Sequence, residues 1–129
     1  MKLYFAGNAF SNNWVTVLKN NNVQRGLMSF YDLKTYSNKM EELSYWKNND
    51  LFLDSGAYSA FNSGAKINID DYINFINENE IKVYSNLDVI GNEKQTLLNQ
   101  KYMEKRGCSP IPCFHIGENF KQLHNYLNR

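Results

Sequence analysis

Cysteine, proline and histidine are scarce in this chain, with two of each in 129 residues. Cys108 and Cys113 bracket Ser-Pro-Ile-Pro, a spacing that suits no tetrahedral zinc site, since zinc takes four ligands, usually in close pairs. Adding His115 and His124 reaches the required number. However, Cys113 and His115 fall on one predicted strand and His124 on a helix beyond it, so no metal is expected. The thiols are expected to be free. No apolar run approaches bilayer-spanning length, and the N-terminus lacks the charged-then-apolar pattern of a leader, so a cytoplasmic location and no membrane partner are expected. Charge of one sign is also lacking. A net charge of +1 gives no global pull toward nucleic acid, which would have to be held by a local patch. No glycine-rich phosphate loop is present, Gly56 and Gly64 lacking the spacing, and no cofactor is expected.

What is there is ordinary globular composition, 43% hydrophobic and 21% charged, in a chain long enough for one domain over residues 1–129 with a real core. Asparagine is frequent and gathers at the ends of apolar segments, as in Asn20-Asn21-Asn22. It reads as a compositional bias. Strands are predicted at Lys2–Ala6 (ended by Gly7-Asn8), Val23–Phe30, Asp50–Ser55, Ile81–Ile90 and Pro110–Ile116; both prolines fall at the start of the last, where strands tolerate them. Helices are predicted around Trp14–Leu18, over Tyr36–Trp46 with Met40, Leu43 and Trp46 inward, from Asn68 with Tyr72, Ile73, Phe75 and Ile76 behind it, and over Asn92–Lys105 with Leu97, Leu98 and Met103 inward. A last helix carries Phe120, Leu123, Tyr126 and Leu127. Five βα units with a parallel sheet follow, an α/β fold. Two architectures fit: a flavodoxin-like open, doubly wound sheet, or part of a (β/α)8 barrel, which needs about 250 residues when complete.

The chain is organised around Leu51-Phe52-Leu53-Asp54-Ser55-Gly56. An apolar run dense enough for a strand buried on both faces delivers a carboxylate, a serine and a glycine to its carboxyl end, the edge at which such sheets bind ligands. Capping of the next helix by Asp54 or Ser55 accounts for the same residues. In a parallel sheet, however, Gly7 and Asn8, Asp54 and Ser55, Asn86 and Asp88, and His115, Gly117 and Glu118 would share that rim. Asp54 and Asp88 could accept N–H donors from a heterocycle or serve as general acid or base, His115 could do either or fill a core position, and Tyr58 and Phe61 could stack on a base or pack in the core.

Asp54-Ser55-Gly56-Ala57-Tyr58 resembles the Asp-Ser-Gly-Gly-Phe motif of tRNA-guanine transglycosylases, and the wider pattern looks closest to short phage-encoded relatives that insert 7-deazaguanine bases into DNA. The matching stretches are Leu53–Phe61, Asn86–Gly91 and Pro110–Glu118. The resemblance implies the first part of a (β/α)8 barrel and exchange of a base through a covalent glycosyl-enzyme intermediate. It makes Asp54 the general acid/base and Asp88 the reader of a guanine-like edge, with Ser55, Gly56, Tyr58, His115 and Gly117 around the base; His115 falls where the family has a glutamine. The family's nucleophilic aspartate and zinc cysteines belong to the later barrel. The resemblance therefore implies a fragment of a longer barrel, a second copy or a companion chain that completes the barrel, or a pocket that binds a base, free or in DNA or tRNA, without exchange.

Overall fold

The computed structural model describes residues 1–6, 14–36 and 39–128, and within them an α/β fold. Four strands, β1 (Phe5–Ala6), β2 (Arg25–Ser29), β3 (Asp50–Asp54) and β4 (Val83–Tyr84), form one parallel sheet in the order β1-β2-β3-β4. This sequential order is not the 2-1-3-4-5 of a flavodoxin-like sheet, and that alternative is set aside. Gly7 and Asn8 lie outside the described residues.

The central pair runs in register from Arg25 opposite Asp50 to Ser29 opposite Asp54. Asp50 anchors its amino end, accepting from Tyr4 Oη at 2.9 Å and pairing with Arg25 at 3.1 Å. Leu51 and Leu53 are buried, as the apolar run requires. Gly26 lies against the buried Trp46 indole so closely that a Cβ would overlap the ring.

Helices α1 (Trp14–Asn20), α3 (Lys39–Lys47), α5 (Ile69–Glu78), α6 (Glu93–Lys105) and α7 (Phe120–Leu127) correspond to the five predicted ones. Asn68, Asn92 and Asn119 each accept a first-turn N–H, at 2.8, 3.0 and 2.9 Å. Part of the asparagine bias is thus a set of helix caps, each worth about 1 kcal/mol. Two short helices were not predicted: α2 (Phe30–Thr35), capped by Ser29, and α4 (Ala57–Asn62). Phe30 therefore starts a helix instead of ending a strand.

Three further expectations are corrected. Met40 is exposed in α3, where Leu43 and Trp46 are buried. In α6 the buried stripe is Thr96, Gln100 and Met103, and Leu98 is 57% exposed. Thr96 Oγ1 accepts the Val89 N–H at 2.9 Å, and Gln100 donates to the Pro110 carbonyl at 3.3 Å, so this helix face serves backbone groups of adjoining segments. In α7 only Tyr126 is buried, and Phe120 and Leu127 are exposed.

The predicted fourth and fifth strands are mostly loop. Beyond Tyr84 the two meet through one bridge, Ser85 with Ile111. Pro110 and Pro112 have no N–H to extend a ladder, and the Cys113 N–H goes to the Asn86 side chain at 3.1 Å. Among the described residues no helix is long and apolar enough to cross a membrane.

Candidate functional site

The end of β3 turns sharply. Asp54 Oδ2 accepts the Gly56 N–H at 2.8 Å and Ser55 Oγ accepts the Ala57 N–H at 3.2 Å, so both side chains do shape the turn into α4. Gly56 has φ +79°, and a Cβ there would overlap Ser29 Oγ and lie 2.6 Å from Tyr31 Cβ. The turn is packed against the cap of α2, and the backbone alone fits.

The same two side chains also reach across the sheet edge. Ser85, opposite Asp54 after β4, accepts the Ser55 N–H at 3.1 Å and donates to Asp54 Oδ1 at 3.4 Å. Ser55 Oγ donates to Asp88 Oδ1 at 2.9 Å. Asp88 Oδ2 faces His115 Nε2 at 3.0 Å, and His115 Nδ1 faces Glu118 Oε1 at 2.8 Å. A continuous chain, Ser55–Asp88–His115–Glu118, therefore joins the end of β3 to the loop after β4 and to the turn at residues 115–118. Its order excludes serine nucleophile chemistry of the triad type, since the Ser55 hydroxyl gives its proton to a carboxylate and has no imidazole at hand.

Burial drives the electrostatics. It raises the Asp54 carboxyl above its ordinary value against the Gly56 N–H bond, and the charge of Asp88 adds to the rise. Burial alone would lower the His115 value, but hydrogen bonds and charge from Glu118 and Asp88 outweigh it and the net shift is upward. The half-buried Cys113 thiol is pushed up to about 12, chiefly by desolvation and then by the charges of Asp88 and Asp54.

Two hollows flank the network. One, of about 570 Å³, is largely apolar and lined by Ala60, Phe61, Ile67, Leu87 and Asp88, with Gln95 and Asn99 as its amides. The other, of about 720 Å³, is shared by His115, Gly117, Glu118 and Glu93. Of the predicted site residues, Asp54, Ser55, Gly56, Asp88 and His115 are brought together. Gly117 is on the rim of the second hollow. Tyr58 is 67% exposed on α4, where it is not a core residue, and Phe61 reaches the first hollow. Ser85 was missed, and its signal was a small polar residue closing a strand directly opposite Asp54. Among the described residues no group of three or more His, Cys, Asp or Glu could hold a metal ion.

Comparison with protein-family models, with curated proteins and with solved structures finds no match for this chain.

Proposed function

We propose that this chain is a transglycosylase-like protein that takes a guanine or 7-deazaguanine base of a nucleotide in DNA or tRNA and acts at its N-glycosidic bond. The observation that carries the reading is the gathering of Asp54, Ser55, Asp88 and His115 at the carboxyl edge of a parallel sheet, beside an apolar hollow large enough for a planar base. A guanine edge offers adjacent N–H donors, and Asp88, the carboxylate of that hollow, is an acceptor. Breaking a glycosidic bond leaves negative charge on the departing base, which needs a proton, and leaves the sugar C1′ to be captured by water or by the nucleophilic aspartate that the resemblance assigns to the later barrel. Asp54, with its carboxyl raised by burial, is suited to hold that proton nearer neutral pH than an ordinary carboxyl does.

The sequential strand order supports the first part of a (β/α)8 barrel as the architecture, its remainder coming from further sequence, a second copy or a companion chain. A cytoplasmic location is in keeping with such a substrate. Binding without exchange is the second reading. It is favoured by Asp88 having both oxygens engaged, by Ser55 and His115, which suits a group that reads a base better than one that attacks a sugar.

The test is calorimetric titration of guanine and 7-deazaguanine into the wild type and Asp88→Asn, followed by single-turnover incubation with nucleic acid carrying a labelled guanine. Binding that Asp88→Asn loses, with label released by the wild type and not by Asp54→Asn, is the expected result. Binding with no release selects the second reading, and no binding by a folded wild type refutes both.

A further inference from the structure

Glu118 has no role in the chemistry so far, yet its side chain is only 9% exposed, and its Oε2 is buried without a hydrogen-bond partner. A buried carboxylate with one oxygen unanswered is costly unless its charge is used. The charge is used on one side only, at His115 Nδ1, 2.8 Å away. The other ring nitrogen faces Asp88 Oδ2 at 3.0 Å. A ring nitrogen facing a carboxylate is satisfied as an N–H donor, and both are donors only in the imidazolium. In the imidazolium form the two carboxylates share one cation, and Asp88 is left with the lone pairs that neither Ser55 nor His115 occupies.

We propose that Glu118 is a positioning residue, acting through the His115 ring to hold Asp88 as an oriented acceptor at the apolar hollow. The inference rests on the base-binding reading for what Asp88 accepts, but the device itself is a property of the free protein. The groups facing the ring are Asp88, from the loop after β4, and Glu118, from its own turn. Glu93, at the start of α6, borders the second hollow with His115 and Glu118 and takes the Asn119 N–H at 3.1 Å.

The sign follows from the chemistry. When His115 loses a proton only one carboxylate keeps an N–H donor; with the remaining proton on Nδ1, held by Glu118 at 2.8 Å, Nε2 turns a bare lone pair toward Asp88, that contact becomes repulsive, and Asp88 is released. Base affinity is therefore expected to hold through the ordinary histidine value of 6.5 and to fall only above it, because the folded value is raised. Glu118→Gln keeps shape and hydrogen-bonding capacity and deletes the countercharge. It should move this fall to lower pH and weaken binding at pH 7 by about tenfold, as loss of a charge-assisted bond does.

The experiment pairs an NMR titration of His115 in the free protein with calorimetric titration of 7-deazaguanine from pH 5.5 to 8.5, for wild type, Glu118→Gln and His115→Gln. Parallel downward shifts in Glu118→Gln, with the upper limb abolished in His115→Gln, would support the proposal. A His115 midpoint unmoved by Glu118→Gln overturns it, and so does a moved midpoint with an unchanged binding profile. A wild type that binds no base overturns the functional reading itself, a result distinct from the other two.

Discussion

Replacing Gly56 by alanine tests whether the turn carrying Asp54 and Ser55 is as tightly built as its contacts indicate. The new Cβ would overlap Ser29 Oγ and stand 2.6 Å from Tyr31 Cβ and 3.1 Å from Tyr31 N, at a backbone φ of +79°. The left-handed conformation alone costs an L-residue about 1–2 kcal/mol, and forcing a methyl into packed surroundings adds roughly 1–3 kcal/mol. Gly64 is an internal control, with φ +71° and open space around its Cβ position, so Gly64→Ala should lose only the backbone share. At roughly 3–5 °C per kcal/mol for a domain of this size, the melting temperature should drop by about 5 °C in Gly64→Ala and by about 10 °C or more in Gly56→Ala. Thermal and urea unfolding followed by circular dichroism read both. Because the same turn carries Ser55, whose Oγ donates to Asp88 at 2.9 Å, the folded fraction of Gly56→Ala should also lose base binding, and Gly64→Ala should keep it. Equal destabilisation of the two variants would refute the reasoning.

Asp54→Asn should abolish exchange yet raise stability at pH 7. A carboxyl raised by burial binds its proton more tightly folded than unfolded, so its contribution is present below the ordinary 3.8 and is lost as pH rises through the folded value. Urea midpoints of wild type and variant should diverge with rising pH, and a constant gap would contradict the assignment. Cys113, pushed up to about 12 chiefly by burial, should react with a disulfide reagent at pH 7.5 far more slowly in the native protein than in urea; equal rates would show an open thiol. Trp46→Phe removes the indole N–H bond to Glu42 Oε1 at 3.2 Å, while Glu42 still faces buried Lys39 at 3.4 Å. Stability should fall by about 1–3 kcal/mol, measurable by urea unfolding, and a neutral substitution would mean that bond is worth nothing net.

What could be read from the sequence was whatever hydrophobic burial dictates. Leu51 and Leu53 announce β3, and Tyr72, Ile73 and Ile76 announce the inner face of α5. What escaped was whatever backbone polar groups dictate. Thr96 and Gln100 face inward in place of Leu98 because the carbonyl and amide groups of two loops need partners there. Residues 85–90 are apolar enough for a strand, but Asn86 and Asp88 spend their side chains on Cys113, Ser55 and His115, and the ladder ends. Asp54, Ser55, Asp88 and His115 could be gathered in advance because a parallel sheet sends its strand ends to one edge. Their pairing order could not, since it depends on Ser85 and on the turn at His115–Glu118.

The hydrogen-bonded chain also has a direction in time. Synthesis from the N-terminus delivers Asp54, Ser55, Ser85 and Asp88 before the imidazole 27 residues beyond Asp88. Until then the emerging edge carries two neighbouring acids and no ring facing Asp88. The arrival of His115 gives Asp88 its ring partner, and Glu118 adds a third acid behind that ring, so the last-made part of the site carries its own counterweight.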